Sequence, residues 1–405
     1  MADRAGDQLR ADFFLPDEVK AVRGEVRQLC EQLLGPIAHD LNGAVESRTN
    51  FPRAVLQTFA KAGILGIPFA RDVGGRGLEH PTLSLLVAIE EVAYFSSGIA
   101  SALLDAPLIL VGQTLDRASP ALRQQYLPRM IRGEIVCSFA TSEPAASTDL
   151  SPGAMQTVAR KVDGGWRISG TKRWITNAVA ADYMLVLART GDKSQSLFLL
   201  DMHDNAVSVA DPDQKMGNRP QLTSDVRFDG SFVADDHVVG EVGGGLRAAL
   251  GALMLGRMGI GAVGIGMAQA AFDIASDHMR TREVFGQKLG GFQHWQMTFA
   301  DHAIAIEQAR SLYEKAGAMF DAGENVEMLA AMAKVAGSRL AVDVVRDAIQ
   351  VSGAYGFVRT MGGTGEEKQL EAIYRDAKIG EIYEGANEIQ KWIIARRFLG
   401  RQITG

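Results

Sequence analysis

Residues 248–268, AALGALMLGRMGIGAVGIGMA, decide between very different folds. The stretch is long and carries a single charged residue, so its composition alone would suit a membrane helix. Arg257 lies near its middle, however, and an arginine at that depth costs roughly 2.5–3.5 kcal/mol on insertion scales. The stretch is also rich in Gly and Ala, which let neighbouring helices approach closely. We therefore predict a buried helix in a helical bundle and no transmembrane segment.

The same stretch contains a glycine pattern that resembles a dinucleotide-binding fingerprint. Residues 259–264, GIGAVG, match G-x-G-x-x-G. That fingerprint requires a strand before it and a helix that opens at it. Here a helical pattern runs through the glycines from Leu246 onward. Helix packing explains them better than a Rossmann site, which argues against a nicotinamide dehydrogenase.

Composition excludes several classes of protein. The chain has 405 residues, 47% of them hydrophobic, and a formal net charge of -6, so a nucleic-acid-binding surface is not expected. Cys30 and Cys137 lie far apart, so we predict neither a disulfide scaffold nor a metal site. The first ten residues, MADRAGDQLR, lack the apolar run of a signal peptide. We expect a cytoplasmic protein.

The hydrophobic period changes twice along the chain, which predicts three domains. Residues 1–133 show helical spacing. Residues 134–245 alternate with a period of two between turn signals and predict a small antiparallel sandwich or barrel. Residues 246–405 return to long helical segments that suit a four-helix bundle. The predicted fold class is therefore mainly α with a central β-domain.

Two polar motifs fall in the β block. Residues 137–149 read CSFATSEPAASTD, and residues 172–177 read KRWITN. Each mixes hydroxyls with small residues, and the second adds a tryptophan. Taken singly, each motif is best interpreted as a loop or turn. Together they suit a flat aromatic cofactor, because hydroxyls can bond its edge while an indole covers one face.

Two motifs in the C-terminal block have open interpretations. Residues 282–286, REVFG, place an arginine before a Phe-Gly turn. This arrangement can bind a phosphate, or it can be a solvated helix end favoured by the helix dipole. The stretch from Gln350 to Ala354 ends another helix and by itself is an ordinary cap.

Residues 375–390, RDAKIGEIYEGANEIQ, contain a carboxylate among apolar neighbours. Glu384 follows Ile382 and Tyr383 and precedes Gly385, which interrupts the helical pattern. A carboxyl group in apolar surroundings has a raised pKa, as a general base for a weakly acidic C–H requires. A surface glutamate at a helix end is the alternative, and the stretch alone does not exclude it.

These motifs resemble, in their order and spacing, those of the acyl-CoA dehydrogenase family over nearly the whole chain. Residues 62–78, AGILGIPFARDVGGRGL, carry the resemblance together with SEP at 142–144, Asp149, WITN at 174–177, REVFG and RDAKIGEIYEGANEIQ. The resemblance implies a helical N-terminal domain, a middle β-domain and a C-terminal four-helix bundle. It also implies FAD bound without a Rossmann fold.

The reaction implied by the resemblance is the dehydrogenation of an acyl-CoA thioester to the trans-2-enoyl-CoA. Glu384 takes the place of the family's base, which removes the α-proton while flavin N5 receives the β-hydride. Some members carry the base just before the arginine that corresponds to Arg257, but Gly256 occupies that position here. Glu384 is therefore the better assignment.

The resemblance also implies binding residues. The flavin ring should contact Phe139, Thr141, Ser142, Thr148, Trp174 and Thr176. Across a subunit interface, the adenosine diphosphate half should contact Arg282, Phe285, Gln293, Gln350 and Gly353, and FAD should also touch Asn387 and Glu388. The substrate should contact Arg257, Thr148, Tyr383 and Gly385. A shared site implies an oligomer, expected to be a homotetramer built from dimers, with a homodimer or heterotetramer as alternatives.

Several residues depart from the family pattern. Ala145 and Ser147 replace two glycines of the loop near the flavin, and Ala386 replaces the usual threonine after the base. The segment 97–104, which matches the floor of the acyl cavity, has mostly small residues. This composition permits a medium, branched or cyclic acyl group but does not choose among them.

The expected electron acceptor is an electron-transfer flavoprotein. An oxidase that uses dioxygen and an enzyme acting on a carrier-protein thioester remain alternatives on the same fold. A non-catalytic subunit of a heteromeric dehydrogenase is the alternative from another class.

Overall fold

The computed structural model describes residues 4–10, 12–146 and 148–404. Its first block is helical, as the sequence predicts. Two short 3₁₀ turns, Ala5–Gln8 and Asp12–Phe14, precede the first α-helix. The helices are α1 (Asp17–Leu33), α2 (Ala38–Gly43), α3 (Arg53–Lys61), α4 (Pro81–Ala93), α5 (Ser97–Asp116) and α6 (Pro120–Ile131).

The middle block is one twisted sheet rather than a closed barrel. Its strands are β1 (Cys137–Ala140), β2 (Val158–Val162), β3 (Gly165–Thr176), β4 (Tyr183–Gly191), β5 (Ser194–Asp201), β6 (Val207–Val209), β7 (Thr223–Ala234) and β8 (Val238–Val239). They are ordered β6-β7-β3-β2-β4-β5-β8, and β1 pairs with β4. Most pairs are antiparallel, but β1 lies parallel to β4 because a long connection through β2 and β3 separates them.

The sheet packs one face against the helices and keeps a small core of its own on the other. Along β4, Leu185 and Leu187 belong to the large apolar core shared with the helices. Met184 and Val186, which point the other way, belong to the second core. This alternation is the period-two pattern expected of a strand between two apolar layers.

The last block contains the long helices. These are α7 (Gly245–Thr281), α8 (Gln293–Asp321), α9 (Glu327–Ser352), α10 (Ala354–Phe357), α11 (Leu370–Ala377), α12 (Asn387–Leu399) and α13 (Arg401–Thr404). A hairpin of β9 (Glu283–Val284) and β10 (Gln287–Lys288) joins α7 to α8. Residues 372–399 do not form one continuous helix, because a 3₁₀ turn at Lys378–Glu381 and a non-helical stretch to Ala386 separate α11 from α12.

The glycine pattern in α7 serves helix packing, which confirms that interpretation. The helix runs through the pattern without a strand before it. A Cβ on Gly264 would clash with the backbone of Gly337 in α9, and one on Gly261 would lie 2.9 Å from the Ala333 carbonyl oxygen. Glycine at these positions lets the two backbones touch.

Within the part of the chain that the structure describes, two helices are long and apolar enough to cross a membrane, α5 and α7, but both are largely buried inside the fold. Within the most apolar window, 89% of residues are buried in α5 and 72% in α7. Arg257, the charge in the middle of α7, is itself only 7% exposed. Both segments therefore look like core helices of a soluble protein.

We expect Gly264→Ala to destabilise the fold by about 1–3 kcal/mol, because the added methyl group must push α9 away from α7. Gly24→Ala is the matched control, since a Cβ there meets nothing within 4 Å among the described residues. That control should be neutral or stabilising by up to about 1 kcal/mol. Thermal unfolding of both variants checks the prediction, and equal midpoints would contradict the packing role.

Candidate active site

A cavity of about 2000 Å³ lies where the three blocks meet. Its walls come from α5, from β1 and β3 with the loop after β1, from α7, and from the turn between α11 and α12. Typical small-molecule pockets hold roughly 300–1,000 Å³, so this cavity has room for two large ligands. The predicted residues that line it are Phe139, Thr141, Ser142, Thr148, Trp174, Thr176, Arg257, Tyr383, Glu384 and Gly385.

Trp174 reaches the cavity because β3 is irregular. The pairing register of β3 with β7 shifts between Lys172 and Ile175, and Trp174 has a φ of 62°. Such bulges commonly re-aim a side chain beside a functional site. The indole is 58% exposed and forms part of the cavity wall. The prediction that KRWITN forms a loop or turn is therefore wrong for residues 172–176, where the bulge obscures the strand pattern.

A buried ion pair fixes the loop that follows β1. The Lys172 ammonium donates to Glu143 Oε1 at 2.8 Å and to the Thr141 carbonyl oxygen at 3.0 Å. Glu143 also accepts hydrogen bonds from the backbone N–H groups of Gln156 and Thr157. Burial lowers the pKa of Lys172 to about 8, although Glu143 opposes that shift. Burial would raise the pKa of Glu143, but Lys172 and the donated hydrogen bonds hold it below its usual value.

Glu143 thus holds the loop in place and does not face the cavity freely. Of the two residues that replace glycines of the family pattern, Ala145 is exposed. The other, Ser147, lies outside the described residues. Thr148 itself is exposed at the cavity wall.

Glu384 sits in a left-handed turn. Its φ is 56°, which is uncommon for a residue with a side chain, and Gly385 follows with a φ of 88°. Gln390 donates to the Gly385 carbonyl oxygen at 3.0 Å and holds this turn from the first turns of α12. A Cβ on Gly256 would lie 2.5 Å from Glu384 Oε2, so the carboxyl group packs against α7 at a position that has no side chain.

The Glu384 carboxyl group has a buried oxygen whose hydrogen-bonding capacity is not met by the described residues. Its Oε2 atom is buried and has no hydrogen-bond partner within the described residues. Burial raises its pKa to about 7, and the charges of Arg257 and then Lys334 oppose that rise. Nε of Arg257 is also buried without a partner in the part of the chain that the structure describes. Unsatisfied polar atoms of this kind call for a ligand or a catalytic role.

Two charged residues near Glu384 were not predicted from the sequence. Asp105 on α5 is 2% exposed, and burial followed by the Glu384 charge raises its pKa well above the usual value. Lys334 on α9 is 0% exposed and donates to Asn387 at 2.8 Å. Asp105 interrupts the apolar run LLDAPL, and Lys334 interrupts AAMAKVA. A single charge within an apolar helical run is the sequence feature that could have identified them.

The residues assigned to the adenosine diphosphate half do not line this cavity. Arg282, Phe285, Gln293, Gln350 and Gly353 are all exposed. The Arg282 guanidinium lies 5.4 Å from the ring centroid of Tyr355, two residues after Gly353, so the β9–β10 hairpin approaches the end of α9. Phe285 is 96% exposed with a φ of 51°. Their role across a subunit interface stays a prediction.

Asn387 and Glu388, at the start of α12, differ in how exposed they are. Asn387 is 3% exposed, and its side chain is held by Lys334 and Ser338. Glu388 is exposed at the start of α12. Neither lies in the cavity wall, and their predicted contact with FAD is not tested by this arrangement.

A separate group of metal-ligand side chains lies on the surface. His39, Asp40 and Glu367 carry ligand atoms within 4.8 Å of one another, and both acids are exposed. Exposed acidic groups commonly gather without an ion. None of these three side chains lines the cavity.

Three family models match consecutive parts of the chain. The N-terminal domain of acyl-CoA dehydrogenases matches residues 16–134, the middle domain matches residues 138–231, and the C-terminal domain matches residues 243–399. Together they span most of the described structure.

Similar proteins agree with that assignment. The short-chain specific acyl-CoA dehydrogenase of Clostridium acetobutylicum is 33% identical over 95% of this chain and 98% of its own length. The cyclohexane-1-carbonyl-CoA dehydrogenase of Geobacter metallireducens is 33% identical over 96% and 99%. The butyryl-CoA dehydrogenase structure from Megasphaera elsdenii has a TM-score of 0.88 and 29% identity, covering 96% of this chain and 100% of that chain.

The fold is that of the acyl-CoA dehydrogenases. The chain belongs to the acyl-CoA dehydrogenase family. It is an FAD-dependent enzyme that dehydrogenates acyl-CoA.

The side chains that line the cavity are of the kinds that can bind FAD. A half-exposed indole offers a flat apolar wall, and four hydroxyl side chains around it offer hydrogen bonds for a ring edge. These hydroxyls belong to Thr141, Ser142, Thr148 and Thr176. Glu384 and Arg257, which each have a buried atom without a partner in the described residues, line the same cavity. They are not among the residues expected to bind the flavin. The remaining space suits a second ligand.

We expect Lys172→Met to cost about 3–5 kcal/mol of stability, because it leaves the Glu143 carboxylate buried without its cation. Lys161→Met is the matched control, since the Lys161–Asp235 pair is about half exposed and should contribute about 1 kcal/mol at most. Thermal unfolding of both variants at one pH measures the difference. Equal small losses would show that the buried pair does not hold the loop.

Proposed function

We propose that Glu384 is the general base that removes the α-proton of an acyl-CoA thioester, which yields the trans-2-enoyl-CoA. The observation that carries this proposal is Glu384 Oε2, an atom that is buried at the wall of a large cavity and has no hydrogen-bond partner within the described residues. A raised pKa of about 7 matches the needs of a base that works near neutral pH. The left-handed turn at Glu384 fixes where the carboxyl group points.

Trp174, Thr141, Ser142, Thr148, Thr176 and Phe139 would hold the flavin ring of FAD. When bound, FAD supplies the acceptor for the hydride that leaves the β-carbon of the substrate. Arg282, Phe285, Gln293, Gln350 and Gly353 would hold the adenosine diphosphate half of FAD in a neighbouring subunit, and Asn387 and Glu388 would contribute at the start of α12. The assembly would then be a homotetramer.

The thioester carbonyl must be polarised to make the α-proton acidic. The backbone N–H of Glu384 donates no hydrogen bond within the described part of the chain, so it is free to bind that oxygen. Arg257 borders the same space with a partnerless Nε, and its charge favours the carboxylate form of the base. Tyr383, held by Ser101 at 3.1 Å, and Gly385 complete the contacts near the reacting carbons.

The acyl group would lie against apolar side chains of α5 and α7. Leu110, Leu253 and Met254 line the cavity near Glu384, together with Ala106. These side chains favour a hydrocarbon without selecting its length, and the similar enzymes carry names for both short straight and cyclic acyl groups. We propose an electron-transfer flavoprotein as the electron acceptor, in keeping with the family.

We expect Glu384→Gln to retain FAD and lose at least ~10³-fold in turnover, because the base is removed while its shape remains. Glu381→Gln is the matched control, since Glu381 lies three residues earlier, pairs with Lys378 and does not line the cavity. The control should keep turnover within a few-fold of wild type. Turnover of butyryl-CoA and of cyclohexane-1-carbonyl-CoA with a dye acceptor measures both variants.

Near-normal turnover in Glu384→Gln would refute the assignment of the base. Rapid reoxidation of the reduced wild-type enzyme by dioxygen alone would favour the oxidase alternative. A wild-type protein that binds FAD but dehydrogenates only carrier-protein thioesters would favour that alternative. A protein that neither binds FAD nor turns over thioesters would favour a non-catalytic subunit.

A further inference from the structure

Lys334 is a buried lysine that the reaction outlined above does not use. It lies on α9 and is 0% exposed. Its ammonium donates a 2.8 Å hydrogen bond to Asn387 Oδ1, and no carboxylate lies within salt-bridge distance of it in the described residues. A buried ammonium that contacts a neutral amide is costly to maintain. A role beyond packing would account for it.

Asn387 connects this lysine to the base. It is the third residue after Glu384 and begins α12. Its Nδ2 donates to Ser338 Oγ at 3.0 Å, so two side chains of α9 hold it. From the other side, Gln390 holds the Gly385 carbonyl oxygen at 3.0 Å. The left-handed turn of Glu384 is therefore fixed between α9 and α12.

The charges around Lys334 come from several elements. Glu384, Glu381 and Glu388 favour its protonated form, while Arg257 on α7 opposes it. Burial, the largest influence, lowers the pKa of Lys334 to about 8. Lys334 therefore carries its charge at neutral pH, where Glu384 titrates.

The groups that face Glu384 have opposite effects. Arg257 and Lys334 lower its pKa, from α7 and α9 respectively. Asp105 on α5 is a second buried carboxyl group that is sensitive to the Glu384 charge, and Tyr383 is a neutral phenol beside it. The two cations thus oppose the burial that would otherwise keep Glu384 protonated at neutral pH.

We propose that Lys334 is a positioning residue for Glu384: it anchors the turn that carries the base through Asn387, and its charge favours the carboxylate form of the base. This inference rests on the proposed role of Glu384 as the base. It gives α9 a part in the chemistry although Lys334 does not line the cavity.

The sign of the expected pH effect follows from the two pKa values. The base is active when ionised, so wild-type kcat should fall as pH decreases through about 7. Removing a nearby cation raises the pKa of a carboxyl group. A variant that lacks the Lys334 charge should therefore lose most kcat, relative to wild type, below pH 7. The difference in kcat between that variant and wild type should become small above about pH 8, where Lys334 of the wild type loses its own proton.

The test is the pH profile of kcat for FAD-loaded wild type, Lys334→Met and Ser338→Ala, with butyryl-CoA or cyclohexane-1-carbonyl-CoA, whichever is turned over faster. Lys334→Met keeps the length of the side chain and removes its charge. Ser338→Ala disturbs the same hydrogen bonds without a change of charge. We expect the apparent pKa of the Lys334→Met profile to rise by about one unit and the Ser338→Ala profile to stay in place.

A uniform loss of kcat in folded Lys334→Met, with an unshifted profile, would overturn the inference. If that variant fails to fold or to bind FAD, Asn387→Asp decides instead. It places a carboxylate where the amide meets Lys334 and should also shift the profile upward, so an unshifted profile there overturns the inference. Near-normal turnover in Glu384→Gln would instead refute the base assignment itself, whatever the Lys334 variants do.

Discussion

The backbone of α7 touches its neighbours at several of its glycines, and the candidate active site depends on that constraint. Gly264 meets the backbone of Gly337 in α9, and Gly266 meets the backbone of Glu90 in α4. Gly256 leaves room for the Glu384 carboxyl group, and Gly259 leaves room for Asp105. A larger residue at any of these positions would displace a helix or a carboxyl group. The same helix thus joins the core and brings α5, α9 and the Glu384 turn together.

That close packing explains the electrostatics of the cavity. Apolar helices exclude water from Glu384, so its carboxyl group is reluctant to ionise and has a raised pKa. Arg257 and Lys334 limit the rise, so the base stays in a range that is useful near neutral pH. A carboxylate paired directly with either cation would be too weak a base. One left without cations would remain protonated.

The sequence predicts the fold class well because the relevant signals are local. Period-two and helical patterns separate the β block from the helices, and the continuous pattern around Gly259 excludes a Rossmann site. The bulge at Trp174 was not predictable, because its strand pattern is broken where the indole turns into the cavity. The parallel β1–β4 pair also escaped prediction, since pairing between distant strands leaves no local signal.

The candidate site was predicted in part. Residues of short motifs, such as Thr141 and Glu384, could be named because the motifs carry the family resemblance, and ten of the predicted residues line the cavity. Asp105 and Lys334 were missed because a lone charge in an apolar helix shows burial without showing which group faces it. The exposed residues around Arg282 cannot be joined to this cavity within one chain. That they bind FAD from a neighbouring subunit stays a prediction.

The most direct test of Glu384 as the base is deuterium exchange from D₂O into the α-carbon of butyryl-CoA, without an electron acceptor, followed by mass spectrometry. This measures proton removal apart from electron transfer. The account predicts that wild-type holoenzyme incorporates deuterium and that Glu384→Gln holoenzyme does so at least ~10³-fold more slowly. Exchange at the wild-type rate in the variant would contradict the account, because another group would then be removing the proton.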